Sequence, residues 1–242
     1  MKKALRKKLL AKKEKLKNSG GFKTFIVKEG TTRFRILATG DESDWSESIT
    51  TFFLGKKHGT VISPSSPVIG GKCALLREYE KLSSSKSESD RKFASRLKPG
   101  QKFVVAAYRY KDEKGKEVDT ENGVKLLVVG KGIINQLIDL FLDEDEAGDF
   151  TDEQNGYDIK IVRTGSGKNN TEYDARPCKP TKIYKKYKGI YDLGKMIQEI
   201  APSYEETKAI LKDFKNSPED EDEDDNTSKK EKSGKKKKNR DL

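Results

Sequence analysis

The chain has 242 residues and a formal net charge of +11, with 32% hydrophobic and 38% charged residues. This length allows one domain of ordinary to large size or two small ones, but so few apolar residues cannot build a core from the whole chain. There is no apolar run of transmembrane length, no signal-peptide core and no disulfide framework, so we exclude membrane-spanning and disulfide-rich secreted classes and expect a soluble intracellular protein.

The N-terminal block is strongly basic. Residues 1–17 carry nine Lys and Arg side chains against one Glu. Leu5, Leu9 and Leu16 can share one face of a helix, which permits a helix that forms only on a partner surface. We interpret residues 1–20 as a basic arm, and a role at a membrane surface is an alternative for it.

The body of the chain, residues 21–189, is dominated by strand patterns. Alternation and β-branched or aromatic content predict strands at residues 28–37, 48–55, 102–110 and 124–130. Apolar residues then recur at helical spacing in KGIINQLIDLFLD, residues 131–143. The segment GYDIKIVRTGSGKNNTEYDARP predicts two more strands joined by a Gly/Asn-rich hairpin.

Five or so strands with one helix after the fourth predict a mainly β or α+β protein. A small oligonucleotide-binding-type Greek-key barrel is the natural candidate. Residues 56–100 do not fit that barrel, and we interpret them as an inserted, loop-rich subdomain. Ser203 and Glu206 predict a capping box for a helix over residues 204–214, so we expect C-terminal helices within residues 190–215.

The C-terminal block changes the sign of its charge within a few residues. Residues 218–225 carry seven acids and no base, and residues 226–242 carry eight bases against two acids. Blocks of like charge without aromatic residues cannot bury enough apolar area to offset chain entropy, so we expect residues 216–242 to be disordered. The body between the charged ends, residues 18–217, keeps a net charge of +4.

The sequence lacks the residue patterns that are typical of an active site. The single histidine, His58, has no serine elbow to work with, and TGSGKNN at residues 164–170 lacks the earlier glycine and the Ser/Thr of a phosphate loop. That segment is better read as a hairpin turn. The acids at residues 143–146 lack the spacing of a calcium loop and are interpreted as a solvated helix end. We predict that the protein is not an enzyme.

Basic and aromatic residues instead recur along the predicted strands. Arg33 and Arg35 share one strand face, and Tyr108 and Tyr110 share another. Proteins that hold single-stranded nucleic acid without reading its sequence need cations along the phosphates and flat side chains on which bases stack. The alternative is that the aromatic residues belong to the core and that the Lys and Arg side chains only solubilise the protein.

The order of several segments resembles the helix-destabilising single-stranded DNA-binding proteins of T-even-type phages. FIVKEGTTRFRIL is followed by an aromatic strand that ends near a His and then by a loop with a Cys. GVKLLVVGKGIINQLIDLF resembles that family's strand, GK and helix segment, and GDFTDEQNGYDIKIVRTGSGKNNTEYDARP resembles its Asp-rich turn and hairpin. The resemblance spans about residues 22–180.

The resemblance implies an oligonucleotide-binding barrel that coats and protects single-stranded DNA in replication, recombination and repair, in the cytoplasm of an infected bacterial host. It implies self-association along DNA through basic residues of the arm: Lys2, Lys3, Arg6, Lys7 and Lys8. It also implies that phage replication and recombination proteins bind an acidic tail, formed by Glu219, Asp220, Glu221, Asp222, Glu223, Asp224 and Asp225. The lysine-rich stretch after that tail departs from the family pattern and could neutralise it or add a DNA contact.

Many members of that family fold the inserted subdomain around zinc, with a His, then CP, then CPxC. On this chain the corresponding positions are His58, Ser63, Cys73 and Leu76, so two of the thiolates are replaced. Structural zinc needs four N or S ligands, which a serine hydroxyl and a leucine cannot complete, so we expect no zinc and no other cofactor. The fold of this loop would then depend on mutual packing of Val61, Ile62, Val68, Ile69, Leu75, Leu76 and Tyr79.

These observations together predict a protein that binds single-stranded DNA and not a membrane. The predicted phosphate contacts are Arg33, Arg35, Lys56, Lys57, Lys111, Lys125 and Lys131. The predicted stacking residues are Trp45, Phe53, Tyr108 and Tyr110, with further contacts from Tyr184, Lys185, Lys186 and Tyr187. A single-stranded RNA-binding protein, or a scaffold protein whose charged ends tether partners, is the alternative.

Overall fold

The structure is a computed structural model. It describes residues 24–39, 45–112, 114–116, 123–143, 148–165, 170–183 and 185–216, without the side chains of Lys56 and Lys186. The predictions for the basic arm, the acidic tail and Tyr184 therefore concern parts of the chain outside the described residues.

The described strands form one large, mostly antiparallel sheet. They are β1 Thr24–Ile26, β2 Gly30–Ile36, β3 Glu47–Phe53, β4 Thr60–Ile62, β5 Pro99–Lys111, β6 Lys125–Val129, β7 Tyr157–Thr164 and β8 Glu172–Pro180. The main path runs β1-β6-β5-β2-β7-β8, and β3 joins it by pairing with β5 and β4. The pairing of β1 with β6 is parallel, and the other strand pairs are antiparallel.

Five helices of at least eight residues accompany the sheet in the described parts of the chain. They are α1 Ala74–Ser83, α2 Glu88–Arg96, α3 Lys131–Leu142, α4 Leu193–Ile200 and α5 Tyr204–Lys215. A single turn at Gly55–His58 and a 3-10 turn at Lys185–Tyr187 are shorter. The prediction of a mixed α+β protein is confirmed. None of the described helices combines the length and the apolar character needed to cross a bilayer.

The predicted barrel is not closed. Strands β1 and β8 end the main path without pairing with each other. The outer edge of β8 is bonded to a helix side chain instead, because the Gln136 amide nitrogen donates to the Tyr173 carbonyl at 3.0 Å and its amide oxygen accepts from Ala175 N at 2.7 Å. Helix α3 thus satisfies backbone groups that a closing strand would otherwise pair.

Strand β5 organises the core because both of its faces are buried. Val105 and Ala107 pack with α3 in one hydrophobic cluster, and Val104, Ala106 and Tyr108 pack with α4 in another. We call these two sides of the sheet the α3 face and the α4 face. A strand buried on both faces loses the apolar–polar alternation of a half-exposed strand.

The segment at residues 56–100 was predicted to be loop-rich, and the structure differs. It contains α1 and α2, and Ser87 caps α2 by accepting a hydrogen bond from Asp90 N. The apolar residues predicted to pack together are divided between two clusters. Val61, Leu75, Leu76 and Tyr79 pack with one another and with α5, whereas Ile62, Val68 and Ile69 pack against the α4 face. The segment is thus anchored to two different parts of the protein.

Helix α5 holds α1 in place. The predicted capping box of α5 is present, with Ser203 and Glu206 bonding each other's backbone N–H groups. The buried Thr207 hydroxyl of α5 accepts a hydrogen bond from Ala74 N at 3.1 Å and donates one to the Tyr204 carbonyl at 2.7 Å. Because Cys73 provides no side-chain cap for α1, Thr207 supplies that cap from the other helix.

Replacing Thr207 with valine is therefore expected to lower the free energy of unfolding by about 2 kcal/mol, since a buried N–H group loses its acceptor. Thr207→Ser keeps the hydroxyl and loses one methyl group, so its cost is expected to be about 1 kcal/mol. Urea unfolding followed by circular dichroism measures both variants. A valine variant at least as stable as the serine variant would contradict the capping role.

Candidate nucleic-acid interface

An irregularity in the pairing of β2 with β5 creates a surface of basic and aromatic residues. Arg33 pairs with Lys111 and Phe34 with Arg109, so Tyr110 is an extra residue on β5. Such a β-bulge bends the strand and re-aims the side chains around it. Here it places Tyr110 beside Arg33 at the uncovered end of the α4 face.

Arg33 is held on two sides. Its Nε donates to Asp158 Oδ2 at 2.7 Å, and its guanidinium carbon lies 4.6 Å over the centre of the Tyr110 ring. The Asp158 side chain is 3% exposed, whereas the Arg33 side chain is 23% exposed. The guanidinium therefore has a fixed position at the surface, above a buried carboxylate.

Two lysines complete this surface. Lys111 on β5 and Lys160 on β7 are both strand partners of Arg33. Burial raises the pKa of the Cys178 thiol, while the charges of Arg33, Lys160 and Lys111 act on it in the opposite direction. Lys160 is exposed and Lys111 is half-buried. We call Arg33, Tyr110, Lys111, Lys160 and Cys178 the β2 patch. Its cations outnumber the single carboxylate beneath it, Asp158.

The lysine-rich segment at residues 179–188 extends this basic surface along the α4 face. Ile183 and Tyr187 anchor the segment in the core, and the Tyr187 ring stacks on Tyr108 at 4.7 Å between centroids. On either side of Ile183 the segment exposes the side chains of Lys179, Lys182 and Lys185. Lys188 is paired with Glu153 at 3.1 Å. The β2 patch and the exposed lysines place several cations on one side of the molecule, where they can attract a polyanion.

Arg35, predicted to contact phosphate, lies instead in the core. Its Nη2 donates to the Asp152 carbonyl at 2.8 Å, its Nη1 lies 3.4 Å from Thr181 Oγ1, and Nη1 is 3.6 Å from Asp158 Oδ1. Burial lowers the pKa of its guanidinium, and Asp158 opposes that shift. The residue is 0% exposed, because the chain after β8 covers this part of the α4 face.

Two predicted stacking residues, Tyr108 and Trp45, and the predicted further contact Tyr187 are also packed against other rings of the protein. Tyr108 and Tyr187 are buried against each other. Trp45 is half-buried and packs edge-on against Phe150, with centroids 4.9 Å apart, and against Phe141. These rings fill the core, as the alternative interpretation of the aromatic residues held.

Phe53 and Lys57 lie away from the β2 patch. Phe53 is 67% exposed, but it follows Phe52, which pairs with Pro99 at the opposite end of β5 from Lys111. A strand of this length spans up to about 40 Å. In the same region, Lys57 Nζ lies 2.6 Å from Asp213 Oδ2, and Asp213 has a lowered pKa because of that lysine.

Two further predicted lysines belong to the other side of the sheet. Lys125 pairs with Ala107 on the α3 face, and its Nζ lies 5.4 Å from the centre of the Phe25 ring. Lys131 is exposed at the start of α3. The structure therefore brings together Arg33, Tyr110 and Lys111, with Lys185 on the adjoining segment, and separates the other described contacts from them.

The four positions aligned with the zinc ligands take part in ordinary protein contacts. His58 Nε2 lies 2.9 Å from Asp213 Oδ2, and the buried Ser63 hydroxyl bonds the Ser65 hydroxyl at 2.7 Å. Cys73 is buried, and Leu76 packs in the same hydrophobic cluster, which includes Leu211 and Phe214 of α5. Within the described residues, no group of three or more His, Cys, Asp or Glu side chains is arranged to hold a metal ion.

Two residues of the β2 patch region were missed by the sequence patterns. Asp158 and Lys160 alternate with the buried Tyr157, Ile159 and Ile161 along β7. That alternation is visible in YDIKIV and would have placed both on one strand face. It could not show that this face adjoins Arg33, because β2 and β7 are more than a hundred residues apart in the chain.

Comparison with known proteins does not identify this chain. No protein-family model matches it, and a search of curated proteins found no significant match. The resemblance to the phage single-stranded DNA-binding proteins therefore depends on the segments quoted above and on their order.

Proposed function

We propose that the protein binds single-stranded DNA without reading its sequence, and that it is not an enzyme. The observation that carries this proposal is the β2 patch, where the Arg33 guanidinium lies over the Tyr110 ring and Arg33 is paired with Lys111 on one neighbouring strand and Lys160 on the other. Cations for phosphates and planar groups for bases are the two requirements of sequence-independent single-strand binding. Bases in a duplex are already stacked and paired, so duplex DNA would meet only the cations.

The open sheet would then be a variant of the oligonucleotide-binding barrel. In support, one edge of β5 pairs with β3 over its first half and with β2 over its second half. Strands shared in this way between two parts of a sheet, together with β-bulges, are how curved sheets turn corners. The β2 patch lies at the β-bulge of β5, within its pairing with β2.

Coating of unpaired strands would destabilise a duplex by mass action, because the protein binds only the open form. A role in phage replication, recombination and repair follows from the resemblance. Self-association through the basic arm and recruitment of replication proteins by the acidic tail are part of the same proposal, and both segments lie outside the described residues.

The proposal is tested by titrating the full chain into labelled oligo-dT, oligo-rU and duplex DNA of equal length at several salt concentrations, with fluorescence anisotropy as the readout. We expect tight binding of oligo-dT, weak binding of duplex, and an affinity for oligo-dT that falls steeply with salt. Equal affinity for all three would mean that the lysine-rich ends attract any polyanion, and the proposal would fall. A clear preference for oligo-rU would favour the RNA-binding alternative.

A further inference from the structure

We propose that Arg33 serves as a stacking platform for one unpaired nucleobase, and that the phosphates are bound by the lysines around it. This inference rests on the proposed function and refines the role of its central residue. It differs from the sequence-based prediction, in which Arg33 was one of several cations that attract phosphate.

The charge of Arg33 is partly compensated by Asp158, a carboxylate that it shares with the buried Arg35. The Arg33 Nε is bonded to Asp158 Oδ2 at 2.7 Å, and the Asp158 carboxylate is 3% exposed. A buried carboxylate in a short, charge-assisted hydrogen bond keeps its guanidinium partner in place and offsets part of its field. A phosphate approaching Arg33 would have to compete with this fixed counter-charge, whereas Lys111 and Lys160 form no ion pair within 4.0 Å among the described residues.

The plane of the Arg33 guanidinium can stack with a second planar group. Tyr110 lies against one side of the guanidinium, with its ring centre 4.6 Å from the guanidinium carbon. Asp158 fixes the guanidinium from its Nε edge, and part of the side chain remains open to solvent. Guanidinium planes stack on aromatic rings and on nucleobases alike, so a base added to the open side would continue the stack.

The β-bulge explains why the stack forms at this position. Because Tyr110 is the extra residue of β5, it is placed beside Arg33, while Lys111 takes the paired position opposite it. The planar surface formed by Arg33 and Tyr110 is thus flanked by the cation of Lys111, the next residue of β5. Single-stranded DNA presents the same combination, with a base next to a phosphate, and a duplex cannot present it without opening.

Arg33→Lys tests the inference because it keeps the charge next to Asp158 and removes the plane. Binding of the full chain is measured with oligo-dT and with an oligonucleotide of the same length whose central nucleotides are abasic. We expect Arg33→Lys to bind oligo-dT about 10-fold more weakly, within the range for one stacked base. On the abasic oligonucleotide the variant and the parent are expected to agree within about twofold, and the salt dependence is expected to be unchanged.

Lys160→Gln is the matched control. It removes a cation of the same patch, so it should weaken binding equally on both oligonucleotides and lower the salt slope by about one. Tyr110→Leu removes the support under the platform and serves as the second variant if Arg33→Lys unfolds; its loss should also be confined to oligo-dT. Equal losses on both oligonucleotides for Arg33→Lys or Tyr110→Leu would overturn the inference. Failure of the parent chain to prefer oligo-dT over duplex would instead overturn the proposed function.

Discussion

Arg35→Ala is expected to lower the free energy of unfolding by about 3–5 kcal/mol, because it removes one partner of a buried ion pair. For a chain of this size that loss corresponds to a fall in melting temperature of roughly 10 °C. The guanidinium bonds the Asp152 carbonyl, lies within hydrogen-bond distance of Thr181, and sits 3.6 Å from Asp158. Its removal leaves a cavity and several polar groups without their donor.

Arg176→Ala is the control for this variant. The Arg176 side chain is 67% exposed and pairs with its neighbour Asp174 on the same strand. Exposed pairs of this kind contribute little, so the variant is expected to stay within about 0.5 kcal/mol of the parent. Thermal melts followed by circular dichroism measure both. If Arg35→Ala kept the parent melting temperature and lost DNA affinity, Arg35 would belong to the binding surface, and its structural role would be refuted.

Arg33 and Arg35 show what a strand pattern can and cannot predict. Alternation correctly predicts that the two side chains share a face of β2. It does not predict which part of that face is covered. Arg35 lies beneath the segment that contains Thr181, more than a hundred residues later in the chain, whereas Arg33 is two residues nearer the open end. Coverage depends on tertiary contacts that no local pattern contains.

The same distinction applies to the rest of the fold. Strands with alternation or β-branched content, the helix at Lys131–Leu142 and the capping box at Ser203 were predicted because each has a local signal. Helices α1 and α2 were missed because Ser, Lys and Glu dominate the chain around them. Their few apolar residues pack with α5, and that contact is not visible in the local sequence. The open sheet was missed as well, since the bonds of the Gln136 side chain to two backbone groups of β8 are tertiary contacts without a local signal.

Only part of the candidate site could be predicted from the sequence, and the reason is physical. Tyr108 and Tyr110 share the pattern of one strand, yet Tyr108 is buried under Tyr187 while Tyr110 stands at a β-bulge. A bulge depends on the register between two strands and has no signature within either of them. Lys160 and Asp158 enter the site through β7 for the same reason, by pairing and not by sequence proximity.

Reversing the charge of both patch lysines, Lys111→Glu with Lys160→Glu, is expected to weaken oligo-dT binding roughly 100-fold at low salt, about 1.4 kcal/mol for each lysine. The cause is the loss of two phosphate contacts and the repulsion introduced in their place. The salt slope should fall by about two for the same reason. Because Lys160 is exposed and Lys111 is half-buried, the melting temperature should change little.

Lys81→Glu with Lys92→Glu changes the net charge of the protein by the same amount on exposed positions of α1 and α2. If binding depends on the position of the cations, this control pair should keep the parent affinity within about threefold at 0.15 M salt, where the Debye length is about 8 Å and distant charges are screened. Equal losses in the two double variants would show that affinity follows net charge alone. The difference between the pairs therefore measures how much of the binding belongs to the β2 patch and how much to the charged ends of the chain.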